Sequence, residues 1–278
     1  MRVRLKFQKY GPMKFIGHLD VLRYFQKAFR RAGIDSEYTT GFNPHQIISF
    51  AAPLGLGLTS DSEYVDIGLN SSEAPEIMIN KINEFMSEGF YVTGFQMLEE
   101  PADNEKKVSA MSLVSSADYL VSLKDGYCLG LDINNIEKFN EVFSRFYDRT
   151  EITINKKTKK SSMLVNIKPM IRLVSFDESD YKNKLKELLL DLPTDKNNQS
   201  SYFIDAESKA EIYDNNIKIY MQLATGSVAN LKPELVIEAF CNDNNIEYNP
   251  YAWQVHRLEL YTHKDSMDKL IPLSRFNK

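Results

Sequence analysis

Within its first 33 residues the chain changes hydrophobic period, and that change limits the folds open to it. Val3, Leu5 and Phe7 alternate with Arg2, Arg4 and Lys6, the period-two pattern of a strand with one buried face. Apolar residues then recur at Leu19, Leu22, Phe25, Phe29 and Ala32, a helical period. Gly33 follows as a C-cap, with Arg30 and Arg31 at the negative end of the helix dipole. Further strands are predicted over 46–50 and 63–69. A second helix opens at Pro75 and carries Ile77, Ile79, Ile82, Phe85 and Met86, and a strand over 90–98 closes the unit. The order is βαββαβ, which predicts a ferredoxin-like split βαβ unit over 1–100.

Residues 101–116 are polar and serine-rich and read as a linker. After them the order repeats: a strand over 117–123, a helix over 136–147, and strands over 151–155 and 163–167. Those two strands flank the basic turn Lys156-Lys157-Thr158-Lys159-Lys160. A strand over 217–223, a helix over 233–240 and a strand over 255–261 complete the second unit. Segment 177–212 does not fit and reads as an insertion with one short helix over 181–190. The predicted fold class is α+β: two tandem ferredoxin-like units, 1–100 and 117–278, the second carrying an insertion near 177–212.

Composition removes several function classes. No apolar run approaches the roughly 18 residues that cross a bilayer, and the start lacks the apolar block of a signal peptide. A cytoplasmic protein without a membrane role is expected. Cys128 and Cys241 are the only cysteines, so no disulfide framework, no cysteine-rich metal site and no three-cysteine cluster for cleaving S-adenosylmethionine is available. No cofactor and no metal are expected in this chain. Charge is uneven. Residues 1–60 carry nine Lys/Arg against three Asp/Glu, a net of +6; with −4 overall, the remainder carries −10. Such asymmetry points to an anionic partner such as nucleic acid, against the plainer alternative of a solvated basic surface.

The candidate site residues follow from that charge. If Val3, Leu5 and Phe7 face the helices, then Arg2, Arg4 and Lys6 point to the open sheet face that many RNA-binding domains use. The structural alternative is a cross-strand ion pair with Asp66. Only four histidines occur. His18 precedes the first helix, where unpaired backbone N–H groups gather, and is suited to anion contact or proton transfer, with Asp20 near it. His45 ends Gly41-Phe42-Asn43-Pro44-His45, a stiffened turn that projects Asn43 and His45. Lys14, His18, Arg30, Arg31, Asn43 and His45 are expected to line one basic cleft, with Ser49 beside it. Pro53-Leu54-Gly55-Leu56-Gly57 lacks the ending of a phosphate loop and reads as a close-packed turn. A secondary phosphate site is expected where Thr225 and Ser227 lead to a helix start near Lys232, bordered by Arg257; a plain helix cap is the alternative.

Several of these motifs carry a resemblance. Lys14-Phe15-x-Gly17-His18-Leu19-Asp20, Phe29-Arg30-Arg31-Ala32-Gly33, Gly41-Phe42-Asn43-Pro44-His45, Ser49-Phe50 and Pro53-Leu54-x-Leu56-Gly57 resemble the signature of the bacterial radical-SAM-linked proteins, a domain of unknown function. Tyr119-Leu120-Val121, Asn166-Ile167-Lys168-Pro169, Gly226-Ser227, Lys232-Pro233-Glu234 and His256-Arg257 extend the similarity over nearly the whole chain. Gln46-Ile47 and Asn166 depart from the family pattern. The resemblance implies a partner, a radical S-adenosylmethionine protein with a cobalamin-binding region, and suggests RNA or the ribosome as target. The expected function is a non-catalytic RNA- or ribosome-directed adaptor that presents substrate to that enzyme. The alternative is a metal-independent RNA-processing or RNA-modifying enzyme using His18, His45 or both.

Overall fold

The computed structural model describes residues 1–99, 108–130, 133, 135–157, 162–192, 199–263 and 269–277. The chain is α+β and divides into two compact units that are not consecutive in sequence. Unit 1 comprises Met1–Ser115, Leu189–Ala210 and Arg257–Lys278; unit 2 comprises Ser116–Leu188 and Glu211–His256. The elements in chain order begin with β1 (Arg2–Lys9), α1 (His18–Arg31), β2 (Ile48–Phe50), β3 (Thr59–Gly68), α2 (Pro75–Asn83), β4 (Phe90–Met97) and the single turn α3 (Ala110–Leu113). Then come β5 (Ser116–Leu123), α4 (Ile136–Tyr147), β6 (Thr153–Lys157), β7 (Ser162–Asn166), β8 (Ile171–Ser175), α5 (Glu178–Leu188) and β9 (Ser201–Phe203). The chain finishes with β10 (Lys218–Ala224), α6 (Pro233–Asp243), β11 (Trp253–His263) and β12 (Leu270–Pro272).

In unit 1, β1 lies between β3 and β4 and pairs antiparallel with both; β2 pairs antiparallel with β3. Val3, Leu5 and Phe7 face the helices and pack with Phe25, Phe29, Phe50, Val65, Ile79 and Phe90 in one core. The Phe7 ring lies 4.7 Å from Phe25 at a tilt of 57°, an aromatic contact that adds to simple burial. Helix α1 presents Val21, Phe25, Ala28 and Phe29 to this core. Leu19, expected inside, is 63% exposed, because the buried stripe starts at Val21. Gly33 ends the helix at φ +61°, with its N–H on the Arg30 carbonyl and that of Ile34 on the Phe29 carbonyl. That is a Schellman cap, which a residue with a Cβ would strain.

The second face of this sheet is not open. Arg4 is 1% exposed and forks onto Asp66, with Nε and Nη2 at 2.8 and 3.2 Å. Asp66 also accepts the Ala110 N–H from α3 at 2.7 Å, and Arg4 Nη1 donates to the Phe276 carbonyl. Lys6 pairs with Glu259 at 2.9 Å, and the Tyr64 hydroxyl donates to the same carboxylate at 2.6 Å. Gln8 donates to Asp61 and to the Glu207 carbonyl, and Arg2 to the Val108 carbonyl. Strand β9 runs antiparallel along β4, and the Phe203 ring occupies the space that a Cβ on Gly94 would need. Parts of the chain far from β1 in sequence therefore cover the face expected to bind RNA.

Unit 2 contains the antiparallel ladder β8-β10-β5. Its core is aromatic: Phe143 stacks at 4.8 Å on Phe240, and Phe139 contacts both Phe240 and Trp253. Asn135 caps α4 by accepting the Lys138 N–H at 2.8 Å. Two details differ from expectation. Segments 151–155 and 163–167 form a separate β6–β7 hairpin, and the strand that joins the ladder is β8, which begins only after Met170. Helix α5 appears where the short insertion helix was expected; its Tyr181 donates to Asp118 at 2.7 Å and lies 5.5 Å from the Tyr220 ring. Of the linker 101–116, residues 101–107 lie outside the described residues, as does most of the basic turn 156–160; α3 belongs to unit 1.

Arg4→Ala should leave Asp66 buried with one N–H donor and cost about 3–5 kcal/mol in urea denaturation. The double variant Arg4→Met/Asp66→Leu should recover part of that loss but not all, since the Ala110 N–H then has no acceptor.

Candidate functional site

The motif residues separate into two groups at opposite ends of α1. Fourteen helical residues span about 21 Å, so Lys14 and His18 are held well away from Arg30 and Arg31. His18 packs edge-on against Phe50, with centroids 5.3 Å apart at 88°, at the C-terminal end of β2. His45 lies five residues upstream of Phe50 along an extended segment, roughly 16 Å away. The expected single cleft does not form.

At the His18 end, α1 starts without a side-chain cap: Gly17 is the N-cap residue, and its carbonyl accepts from Asp20 and Val21. Burial against Phe50 lowers the His18 pKa below its usual 6.5. Asp20 pairs with Arg23 on the helix surface rather than with His18. The Gly57 N–H donates to the Lys14 carbonyl at 2.8 Å and docks the loop Pro53–Leu58 beside Phe15. Phe15, Leu19 and Leu56 are all more than 60% exposed there.

Beneath this tip lies a buried charge cluster. Both Glu63 oxygens accept from Arg257 Nη1, at 2.8 and 3.0 Å, and the same nitrogen donates to the Ala52 carbonyl at the base of the loop. Lys9, 2% exposed, donates to the Ile16 carbonyl just before the helix. Burial raises the Glu63 pKa, while Arg257 beside it pulls the other way. Burial also lowers the Lys9 pKa, and Glu63 partly opposes that shift. Sequence reasoning missed Lys9 and Glu63. The one signal was local: Glu63 faces Phe7 across the ladder, so its side chain had to point into the helix-covered side.

At the other end of α1, Arg30 and Arg31 are exposed, and Arg30 Nε donates to the Gln26 carbonyl. The segment 36–47 is tied to β3 through Glu37 to Gly68 and Gly68 to Ile47. It presents Tyr38, Phe42, Asn43 and His45 outward, with Phe42 fully exposed. His45 holds its turn together: its backbone N–H donates to Thr39 Oγ1, and its Nδ1 sits 3.1 Å from that oxygen and 3.4 Å from the Asn43 carbonyl. Between the two ends, Arg23, Lys27, Arg30 and Arg31 occur at i, i+4, i+7 and i+8, and all are exposed. This stripe joins the two groups along a single helix face.

The remaining predicted residues are distributed as follows. Arg2, Arg4 and Lys6 serve the covered face of unit 1. Ser49 is half-buried on β2, opposite Asp66. In unit 2, the buried Thr225 hydroxyl donates to the Leu223 carbonyl, while Ser227 and Lys232 are exposed. Lys232 is the N-cap residue of α6 and makes no side-chain cap. Arg257 belongs to unit 1, where it pairs with Glu63. No group of three or more His, Cys, Asp or Glu suited to a metal occurs among the described residues.

The family model described as "uncharacterized protein conserved in bacteria" (DUF2344) matches residues 2–233. The chain belongs to this family. The family match covers α1, both loop motifs, β3 and Glu63, and stops short of Arg257. No curated protein matches the chain. Among the described residues, no helix is long and apolar enough to cross a membrane.

His18 should titrate below 6.5 by NMR, and Phe50→Ala should move its midpoint up toward 6.5 by rehydrating the ring. The sign for stability follows. The folded state holds this proton less tightly than the unfolded chain, so stability is retained above 6.5 and lost as pH falls through the lowered value. A wild-type midpoint at or above 6.5 would contradict the packing described.

Proposed function

We propose that this protein is a non-catalytic, RNA- or ribosome-directed adaptor that reads RNA along α1 and presents it to a radical S-adenosylmethionine enzyme. The observation that carries this reading is the α1 stripe. Arg23, Lys27, Arg30 and Arg31 line one exposed helix face, with the exposed Phe15 just before the helix and the exposed Phe42 on the loop that follows it in sequence. Exposed cations at this spacing can follow successive phosphates, and exposed aromatic rings can stack unpaired bases. The covered sheet face moves the proposed RNA surface from β1 to α1.

The adaptor reading is favoured over the enzyme reading by the placement of the histidines. They lie at opposite ends of β2; His45 is bonded to Thr39 and a carbonyl, and His18 packs on a phenyl ring. A general acid–base pair needs its groups within hydrogen-bond reach of one reacting centre. The buried Glu63–Arg257–Ala52 lock fits a rigid recognition tip, since fixed contacts lower the entropy lost on binding.

On this reading the two units are ferredoxin-like. Strand order β2-β3-β1-β4 with α1 and α2 in unit 1, and the ladder β8-β10-β5 with α4 and α6 in unit 2, support it; the β6–β7 hairpin and α5 are additions to the second, while 189–210 belongs to unit 1. The radical-enzyme partner, the RNA target and a cytoplasmic setting belong to the same proposal. The partner rests on the signature motifs, and the RNA on α1.

Anisotropy titrations of the full-length protein with single-stranded ribosomal RNA fragments test it. Binding should weaken steeply with salt. Arg23→Ala, Lys27→Ala, Arg30→Ala and Arg31→Ala combined should flatten the log K against log salt slope by about 0.7 for each phosphate no longer neutralised, with unfolding unchanged. Undetectable or salt-insensitive binding would remove the RNA reading. Cleavage abolished by His18→Ala or His45→Ala would replace the adaptor by an enzyme.

A further inference from the structure

Unit 2 contains a cavity of about 920 Å³ between the loop 127–130, helix α4 and the segment that follows α6. That volume is at the upper end for small-molecule sites. Its lining chemistry is mixed in a specific way. Trp253 forms part of the floor, 7% exposed and tilted against Phe139. Tyr127 and Tyr251 stand at the walls, 41% and 75% exposed. The Tyr251 ring is exposed, but its backbone is pinned: its N–H donates to Asn249 Oδ1 at 2.9 Å and its carbonyl accepts from Lys124 at 3.0 Å. An aromatic plate on a fixed turn is a ready stacking surface, because little ordering entropy remains to be lost.

The polar lining completes the pattern. Asn245 contributes an exposed amide, able both to donate and to accept. Lys138 and Arg145 lie seven residues apart on α4, about 10 Å along one face. Both lean on the exposed Glu141, at 2.9 and 3.6 Å. Surface pairs of this kind contribute little and are readily exchanged for a better anion. With Glu247 as the acidic residue of the lining, the cavity's own charge is +1.

We propose that this cavity binds a nucleotide, its base stacked on Tyr251 beside Trp253 and edge-read by Asn245, its phosphate taken by Arg145 and Lys138. An apolar ligand would not need two cations and an amide; a simple anion would not need a lining with four aromatic residues, Tyr127, Tyr248, Tyr251 and Trp253. The same chemistry is offered by a free mononucleotide or by one unstacked nucleotide of an RNA strand. The inference concerns unit 2 and does not depend on the role proposed for α1.

Trp253 is the only tryptophan in the chain, so its fluorescence reports this cavity alone. Adenosine, guanosine, cytidine and uridine 5′-monophosphates, titrated to ~1 mM into the full-length protein, should change that signal saturably for at least one base. Tyr251→Ala should weaken binding of nucleotide and nucleoside alike by about tenfold, in line with the loss of one stacked base. Arg145→Ala should weaken the nucleotide and leave the nucleoside unchanged. Both residues are solvent-exposed, so folding should be preserved, which thermal denaturation checks. A short oligonucleotide that binds more tightly than the mononucleotide, and is displaced by it, identifies an RNA strand as the source; equal affinities identify the free nucleotide. The α1 charge variants should leave the Trp253 signal intact, so failure here and failure of the α1 reading remain distinguishable. No saturable change with any of the four nucleotides, or equal losses for nucleotide and nucleoside in Arg145→Ala, would overturn the assignment.

Discussion

Strand β1 is flanked by two partners and covered on both faces, so every cation it carries must be paired within unit 1. A buried unpaired guanidinium or ammonium costs several kcal/mol, and the fold meets this demand residue by residue. Arg4 takes Asp66, Lys6 takes Glu259, and Lys9 takes the Ile16 carbonyl near Glu63. These partners come from β3, from β11 and from the turn before α1. The position of α3 follows too, since Asp66 shares its charge with the Ala110 N–H. What looks in the sequence like a basic binding strand is an internal ionic frame.

That frame explains which parts of the fold were legible. The alternation of Val3, Leu5 and Phe7 and the helical recurrence through Phe25 and Phe29 encode a local period and one buried face, and both are present in the structure. The period carries no information about what covers the opposite face. Here the cover comes from residues near 207, 259 and 276, far beyond any local window. The structural alternative for Arg4, a cross-strand pair with Asp66, was written in the alternation itself, because equal-parity residues on neighbouring strands share a face. Strand β8 was missed because Pro169 and the adjacent hairpin obscure a short run, Ile171–Ser175, that lacks clean alternation.

The candidate site divides in the same manner. Rare residue types at element ends drew attention to Gly17-His18 and Asn43-Pro44-His45; Asn43 and His45 are exposed, while His18 is half-buried against Phe50. Spacing in sequence could not show that α1 lies between them as a rod of about 21 Å. The buried Glu63 escaped notice because an acidic residue in a strand is ordinarily solvated. It is held inside by Arg257, 194 residues later. Once the two ends are separated, the helix face that joins them becomes the most continuous charged surface on α1.

The division of unit 1 into three stretches of sequence has a consequence for synthesis on the ribosome. The first 115 residues emerge with β1 flanked by β3 and β4, yet without Glu259 for Lys6 or Arg257 for Glu63. Those partners arrive only after all of unit 2 has been made. Closure of unit 1 is therefore a late, long-range event, slow in proportion to the chain separation it spans, while unit 2 meets only the interruption at 189–210. The nascent N-terminal segment must wait with ionised side chains on a half-covered sheet. That exposure disfavours face-to-face association during the wait, since faces carrying like charges repel one another.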